Sequence, residues 1–125
     1  MKRIPLIIDT DPGIDDAVAI ALALYSDDID VRLITTVSGN VGIEATTTNA
    51  LKLLAYFGKD VPVARGASEP LIRAAQDASD IHGATGMEGF DFPEPKRELL
   101  MERNAIDAMR DVLMKSEEPI TIMPI

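Results

Sequence analysis

The sequence predicts an α/β fold: an open, mainly parallel sheet with helices on both faces. Three observations predict it. Short, mostly apolar runs rich in β-branched residues, such as "LII" at 6–8 and "PITIMPI" at 119–125, read as buried strands. Longer Ala- and Leu-rich stretches alternate with them, in the order β-α-β-α-β-loop-α-β. Turn chemistry follows the first apolar run at Pro12-Gly13, where a strand would hand over to a helix.

Leu6–Ile8 is the first strand, with Pro5 before it and Asp9 ending the apolar run. Asp15 to Tyr25 follows as a helix whose first turn carries carboxylates, the charge that its dipole favours there. Val31–Val37, "VRLITTV", is the second strand. Glu44 to Phe57 is the second helix, and Gly58 is placed to stop it. Val61–Ala64 is a short third strand. Residues 66–100 are rich in Gly and Pro without periodicity, which reads as a long loop with at most a short helix. Asn104–Lys115 is a third helix with Ile106, Met109 and Leu113 on one face. Pro119–Ile125 reads as a fourth buried strand. A hydrophobic strand at the end of the sequence, with nothing after it to cover the sheet, leads us to expect one piece of a larger or split protein.

The totals set limits on function. The 125 residues suffice for one domain with a real core. A formal net charge of −9 argues against nucleic-acid binding, which needs a basic footprint. It leaves carboxylates to spare for a hard metal ion, although general solubility explains the acidity as well. With no cysteine, disulfides, thiolate catalysis and Cys-ligated zinc are excluded. No apolar run approaches the ~18 residues of a membrane span, and "MKRIPLII" is too short for a secretory signal. A cytoplasmic protein with no membrane partner is the expectation.

The informative feature is "LIIDTDPGIDDAVAIA", Leu6 to Ala21, which puts Asp9, Asp11, Asp15 and Asp16 between two apolar runs. In open α/β sheets ligands bind at the carboxyl ends of strands, and all four carboxylates can converge there. One or two would be capping or solvated turn residues. Four crowded together repel one another, and a hard cation resolves the repulsion: Ca²⁺ takes 6–8 oxygen ligands and Mg²⁺ six. An EF-hand fails, because counting from Asp9 puts Ile14 where the glycine belongs and Ile20 where the closing Glu belongs. The metal site is therefore incomplete in this loop and must draw on other strand ends.

"DTDPGIDDAVAIA" closely resembles the N-terminal signature of the inosine-uridine-preferring nucleoside hydrolases. "ITTVSGNV" at 34–41, "TTTNALKLL" at 46–54, "VPVARGASEPL" at 61–71, "IHGATGMEGF" at 81–90 and "PITIMPI" resemble successive landmarks of that family, so the likeness runs through the whole chain. It implies a Rossmann-like sheet, with residues 1–125 forming the N-terminal part of a single nucleoside hydrolase-like domain whose C-terminal part is absent. The implied activity is hydrolysis of the N-glycosidic bond of ribonucleosides to ribose and free base, with a tightly held Ca²⁺.

On that resemblance Asp11 and Asp16 are metal ligands, and Asp11 is also the general base toward a Ca²⁺-bound water. Asp15 accepts a hydrogen bond from a ribose hydroxyl, and Asp9 stands behind the others and positions them. Asn40 lines the ribose pocket, His82 lies near the nucleobase in a Gly-rich flap, and the Ile125 main-chain carbonyl is a calcium ligand. The residue types suit the chemistry, since carboxylates stabilise an oxocarbenium-like transition state. Asn49 reads as a satisfied polar residue of its helix, and Met87 as packing. The family chain is more than twice as long and draws further ligands and contacts from its second half. This chain alone is therefore expected to bind Ca²⁺ weakly and to hydrolyse little. The intact protein is expected to be a homo-oligomer, dimer or tetramer, and base preference stays open.

Two other readings compete. A strand followed by D-x-D also opens the haloacid dehalogenase-like phosphatases, which would make Asp9 a nucleophile beside Mg²⁺. There Gly and then Thr or Val typically follow, not Pro12-Gly13-Ile14. The other is a non-catalytic half-protein that assembles with a second polypeptide.

Overall fold

The computed structural model describes residues 2–39, 41–68, 87 and 91–125. Among these residues the chain runs β1 (Ile4–Thr10), α1 (Ile14–Tyr25), β2 (Ile29–Thr36), α2 (Ile43–Phe57), β3 (Val63–Arg65), a 3₁₀ turn (Arg97–Leu99), α3 (Ala105–Lys115) and β4 (Thr121–Pro124). The four strands form one sheet in the order β3-β2-β1-β4, with every neighbouring pair parallel. β1 is thus central, and the chain moves outward on one side before crossing back to β4 on the other.

That reversal decides where the helices go. α1 and α2 pack on one face, over a core that includes Leu6, Ile8, Ile20, Ile34, Leu51 and Leu54. α3 lies on the opposite face, where Ala105 and Ala108 bury against Ile7, Leu33 and Ala64. The expected helices on both faces are present. Met87 is buried in the first cluster, which agrees with its reading as a packing residue.

The helix ends follow local chemistry. Gly58 stands at the end of α2 in the left-handed conformation, φ 67°, which a glycine adopts without penalty. The Asn104 side chain caps α3 by accepting from the Asp107 amide at 2.9 Å. α1 follows Gly13, an N-cap with no side chain, and carries Asp15 and Asp16 in its first turn, where the helix dipole favours negative charge.

Two differences from the sequence reading have physical causes. In the register between β1 and β2, Leu6 pairs with Val31 but Ile7 pairs with Leu33, leaving Arg32 as the extra residue of a bulge. Strict alternation would have put Arg32 on a buried face. The bulge frees it to donate to Asp30 at 3.0 Å and to Glu118 at 2.9 Å, tying β2 to the entry of β4. The second difference concerns the fourth strand. Pro119–Ile125 is not a buried strand: β4 is Thr121–Pro124, with only Met123 partly covered and the rest exposed. It pairs with β1 alone, and α3 covers β2 and β3 instead. Between β4 and α1 runs an open apolar groove of about 770 Å³, lined in part by Leu6, Val18, Leu22 and Met123. The expected loop at 66–100 falls mostly outside the described residues; its described end carries the 3₁₀ turn and a parallel bridge from Leu100 to Val63.

Candidate functional site

The strand order places the aspartates. With β1 leading to β2 on one side and paired to β4 on the other, the carboxyl ends of β1 and β4 border the point where the sheet reverses direction. α1 leaves β1 on one face of the sheet and α3 leads into β4 from the other, and a reversal of this kind is where open α/β sheets form a crevice. Asp9 is in β1, Asp11 just beyond it, and Asp15 and Asp16 lie in the first turn of α1.

The side chains are held individually. Asp9 Oδ1 accepts a 2.6 Å hydrogen bond from Thr35 Oγ1 on β2. Asp16 Oδ2 accepts a longer one, 3.3 Å, from Thr10 Oγ1 at the end of β1. Asp11 and Asp16 face each other within hydrogen-bonding reach. Burial pushes the Asp16 carboxyl above the ordinary aspartate range, and the Asp11 charge and hydrogen bond push it further; the Thr10 hydroxyl opposes them, and Asp15 adds a smaller upward push. Asp15 is exposed at the same rim. Ile125 is brought alongside by its amide, which donates to the Asp9 carbonyl at 2.9 Å. Asn40 and His82 lie outside the described residues.

Two residues outside the predicted site hold this loop: Gly39, and Asn49, whose reading as a satisfied polar residue of its helix agrees with its burial and hydrogen bond. Gly39, after β2, packs its Cα against the Asp11 side chain, so a β-carbon there would lie 2.6 Å from Asp11 Cβ. Asn49 is buried in α2, and its side-chain amide donates to the Pro12 carbonyl at 3.0 Å. The signal for Asn49 was available: it falls on the same buried stripe of α2 as Thr46, Ala50 and Leu53. Nothing in the sequence marked Gly39 beyond its place in "ITTVSGNV".

The donor set consists of hard oxygens: two facing carboxylates, with a strand-end carbonyl at the same rim. That suits a hard divalent cation in kind, and the proton affinity of Asp16 marks negative charge that a cation would neutralise. It does not suit one in number. Among the described residues no group of three or more His, Cys, Asp or Glu side chains comes together for a metal.

Comparisons with known proteins point to one family. The family model described as inosine-uridine preferring nucleoside hydrolase matches residues 6–125. The non-specific ribonucleoside hydrolase RihC of Klebsiella pneumoniae is 54% identical over 123 residues, an alignment covering 98% of this chain and 40% of that protein. Its counterpart in Escherichia fergusonii is 51% identical with the same coverage. Among solved structures, a purine-preferring ribonucleoside hydrolase from Gardnerella vaginalis superposes with a TM-score of 0.87 at 30% identity, covering 96% of this chain and 39% of that one. An inosine-guanosine nucleoside hydrolase gives 0.84 at 34% identity, covering 98% and 38%. The chain thus spans about 40% of the length of the curated relatives it matches.

Proposed function

Because the chain belongs to the inosine-uridine preferring nucleoside hydrolase family, we propose that its aspartate rim is one part of a site that hydrolyses the N-glycosidic bond of ribonucleosides. The observation that carries this is the Asp11–Asp16 pair, two carboxylates held face to face at the reversal point of the sheet. Such a pair has an energetic cost in the free chain and a use once a cation and substrate share it.

In this reading Asp11, Asp16 and the Ile125 carbonyl hold Ca²⁺, with the remaining ligands coming from outside the described residues. When bound, the ion would supply positive charge that makes water more acidic and helps to orient the ribose. Asp11 removes the proton from the attacking water, a step worth ~10²–10⁴-fold where a base is well placed. Asp15, exposed beside the pair, accepts from a ribose hydroxyl. The carboxylates together favour the oxocarbenium-like charge that grows on the sugar as the base departs. Asp9, fixed by Thr35, holds the loop from behind. Asn40 toward ribose and His82 toward the base complete the assignment, and a cytoplasmic homo-oligomer belongs to the same proposal on family resemblance alone. The phosphatase alternative needs Asp9 as a free nucleophile, and it leaves the family match over residues 6–125 without a cause.

The test uses a chimera in which this chain replaces the matching segment of the Klebsiella pneumoniae relative, where 54% identity favours a common fold. Ribose release from inosine and uridine is expected from the chimera, with loss on exhaustive removal of divalent cations and recovery with Ca²⁺. The 125-residue chain alone is expected to release little. A folded chimera without activity on any ribonucleoside, or with activity indifferent to cation removal, contradicts the proposal.

A further inference from the structure

We infer that Asn49 is a positioning residue for the aspartate loop: from α2 it sets the peptide plane that separates Asp11 from Asp16. The inference deepens the proposed function and rests on it for the identity of the cation. The starting point is burial. Asn49 is 1% exposed, and a primary amide taken out of water stabilises a fold only where it finds partners. One partner is the Pro12 carbonyl, at 3.0 Å and thirty-seven residues away in the chain.

That carbonyl is a specific one. The first turn of α1 is closed by the Ala17 amide donating to the Gly13 carbonyl at 3.1 Å. The Pro12 carbonyl precedes the N-cap and so lies outside the helical ladder. Asn49 supplies a donor to it. Fixing this oxygen fixes the Pro12–Gly13 peptide plane, which stands between Asp11 on one side and the first turn of α1 on the other. Pro12 has no freedom in φ, and both Pro12 and Gly13 are buried, so the plane has few other ways to settle.

α2 is itself seated on the sheet by polar contact. Thr47 shares a 2.8 Å hydrogen bond with Thr36, the last residue of β2, and Gly39 in the connection between β2 and α2 touches Asp11. The loop's geometry is therefore set at two points, the Pro12 carbonyl from α2 and the Asp11 side chain from the connection that leads into α2. A buried Asn that merely satisfied itself would need neither.

The experiment compares the 125-residue chain with Asn49→Leu, which keeps the branching at Cγ but cannot donate, and with Leu54→Val, which loosens the same helix while leaving the loop's bonds alone. Two readouts are taken by NMR: exchange of the Ala17 amide without metal, and movement of the Asp15–Ala17 amide signals on titration with CaCl₂. Asn49→Leu is expected to speed Ala17 exchange by tenfold or more and to raise the half-saturating Ca²⁺ by at least tenfold. Leu54→Val is expected to change each less than threefold at a comparable or greater loss of thermal stability. Unchanged exchange and affinity in Asn49→Leu, or equal changes in Leu54→Val, overturn the inference. A wild-type chain that takes up no Ca²⁺ at any concentration counts against the metal reading above, and Ala17 exchange then decides the positioning role by itself.

Discussion

Asp11→Asn is expected to lower ribose release by the chimera by ~10³-fold, and to make the metal-free 125-residue chain more stable rather than less. The two effects share one cause. Asp11 faces Asp16 across a partly buried gap, and its charge helps to hold the Asp16 carboxyl above the ordinary aspartate range. The native state therefore binds the Asp16 proton more tightly than the unfolded chain does. Stability from this group is fully present below the unfolded aspartate pKa, near 3.9, and is lost as pH rises through the higher native value. Replacing Asp11 with a neutral isostere removes the neighbouring charge while Asn can still hydrogen-bond Asp16. The midpoint of thermal unfolding in chelator at neutral pH is expected to rise by ~2–4 °C, a modest figure because solvent screens a pair only partly buried. Between pH 4 and pH 7, stability of the variant should fall less steeply than that of the wild type. Lower stability in chelator, or hydrolysis within tenfold of the parent chimera, would sink the idea that the pair is kept for a cation at the expense of the fold.

Gly39→Ala is the second large effect. No backbone strain is involved, since among the described residues Gly58 alone has positive φ. The constraint is contact: the new methyl would lie 2.5 Å from Asp11 Cγ and 2.6 Å from Asp11 Cβ. A side-chain rotation clears the carboxylate but cannot clear Cβ, so the end of β1 or the connection after β2 must move. Overpacking of this kind costs ~1–3 kcal/mol. The movement also turns Asp11 away from Asp16, so Ca²⁺ affinity is expected to fall by at least tenfold, with the Asp16 signals no longer responding to Ca²⁺ in step with those of Asp11. Gly42→Ala is the control: nothing lies within 4 Å of a β-carbon there, so Ca²⁺ affinity should stay near wild type even though Ala is a poorer N-cap for α2 than Gly. A Gly39→Ala chain with unaltered Ca²⁺ affinity would show that the contact does not set the aspartate geometry.

How far the sequence reveals this site depends on whether the information is local. The apolar run at 6–8, the Gly58 stop and the Asn104 cap are local signals, and each lies in or beside the element it predicts. The four aspartates were legible for the same reason, as charge density beside a strand. Arg32 was not, because alternation along "VRLITTV" cannot show the bulge that removes it from the ladder. For β4 the sequence carried two conflicting signals, a buried strand and a sheet left uncovered, since an apolar strand reads alike at an edge and at the centre of a sheet. Asn49 and Gly39 matter through contacts made across the fold, to Pro12 and to Asp11. A residue's own neighbours in sequence carry no record of such contacts.

The central claim is that Asp11 and Asp16 share one cation, with Asp9 held behind them by Thr35. Titrating the ¹³C-labelled 125-residue chain with CaCl₂ and following the side-chain carboxyl signals tests it directly. The Asp11 and Asp16 carboxyls are expected to move together with one saturation curve, while the Asp9 carboxyl moves little. Independent curves for Asp11 and Asp16, or a response confined to Asp9, would contradict the account.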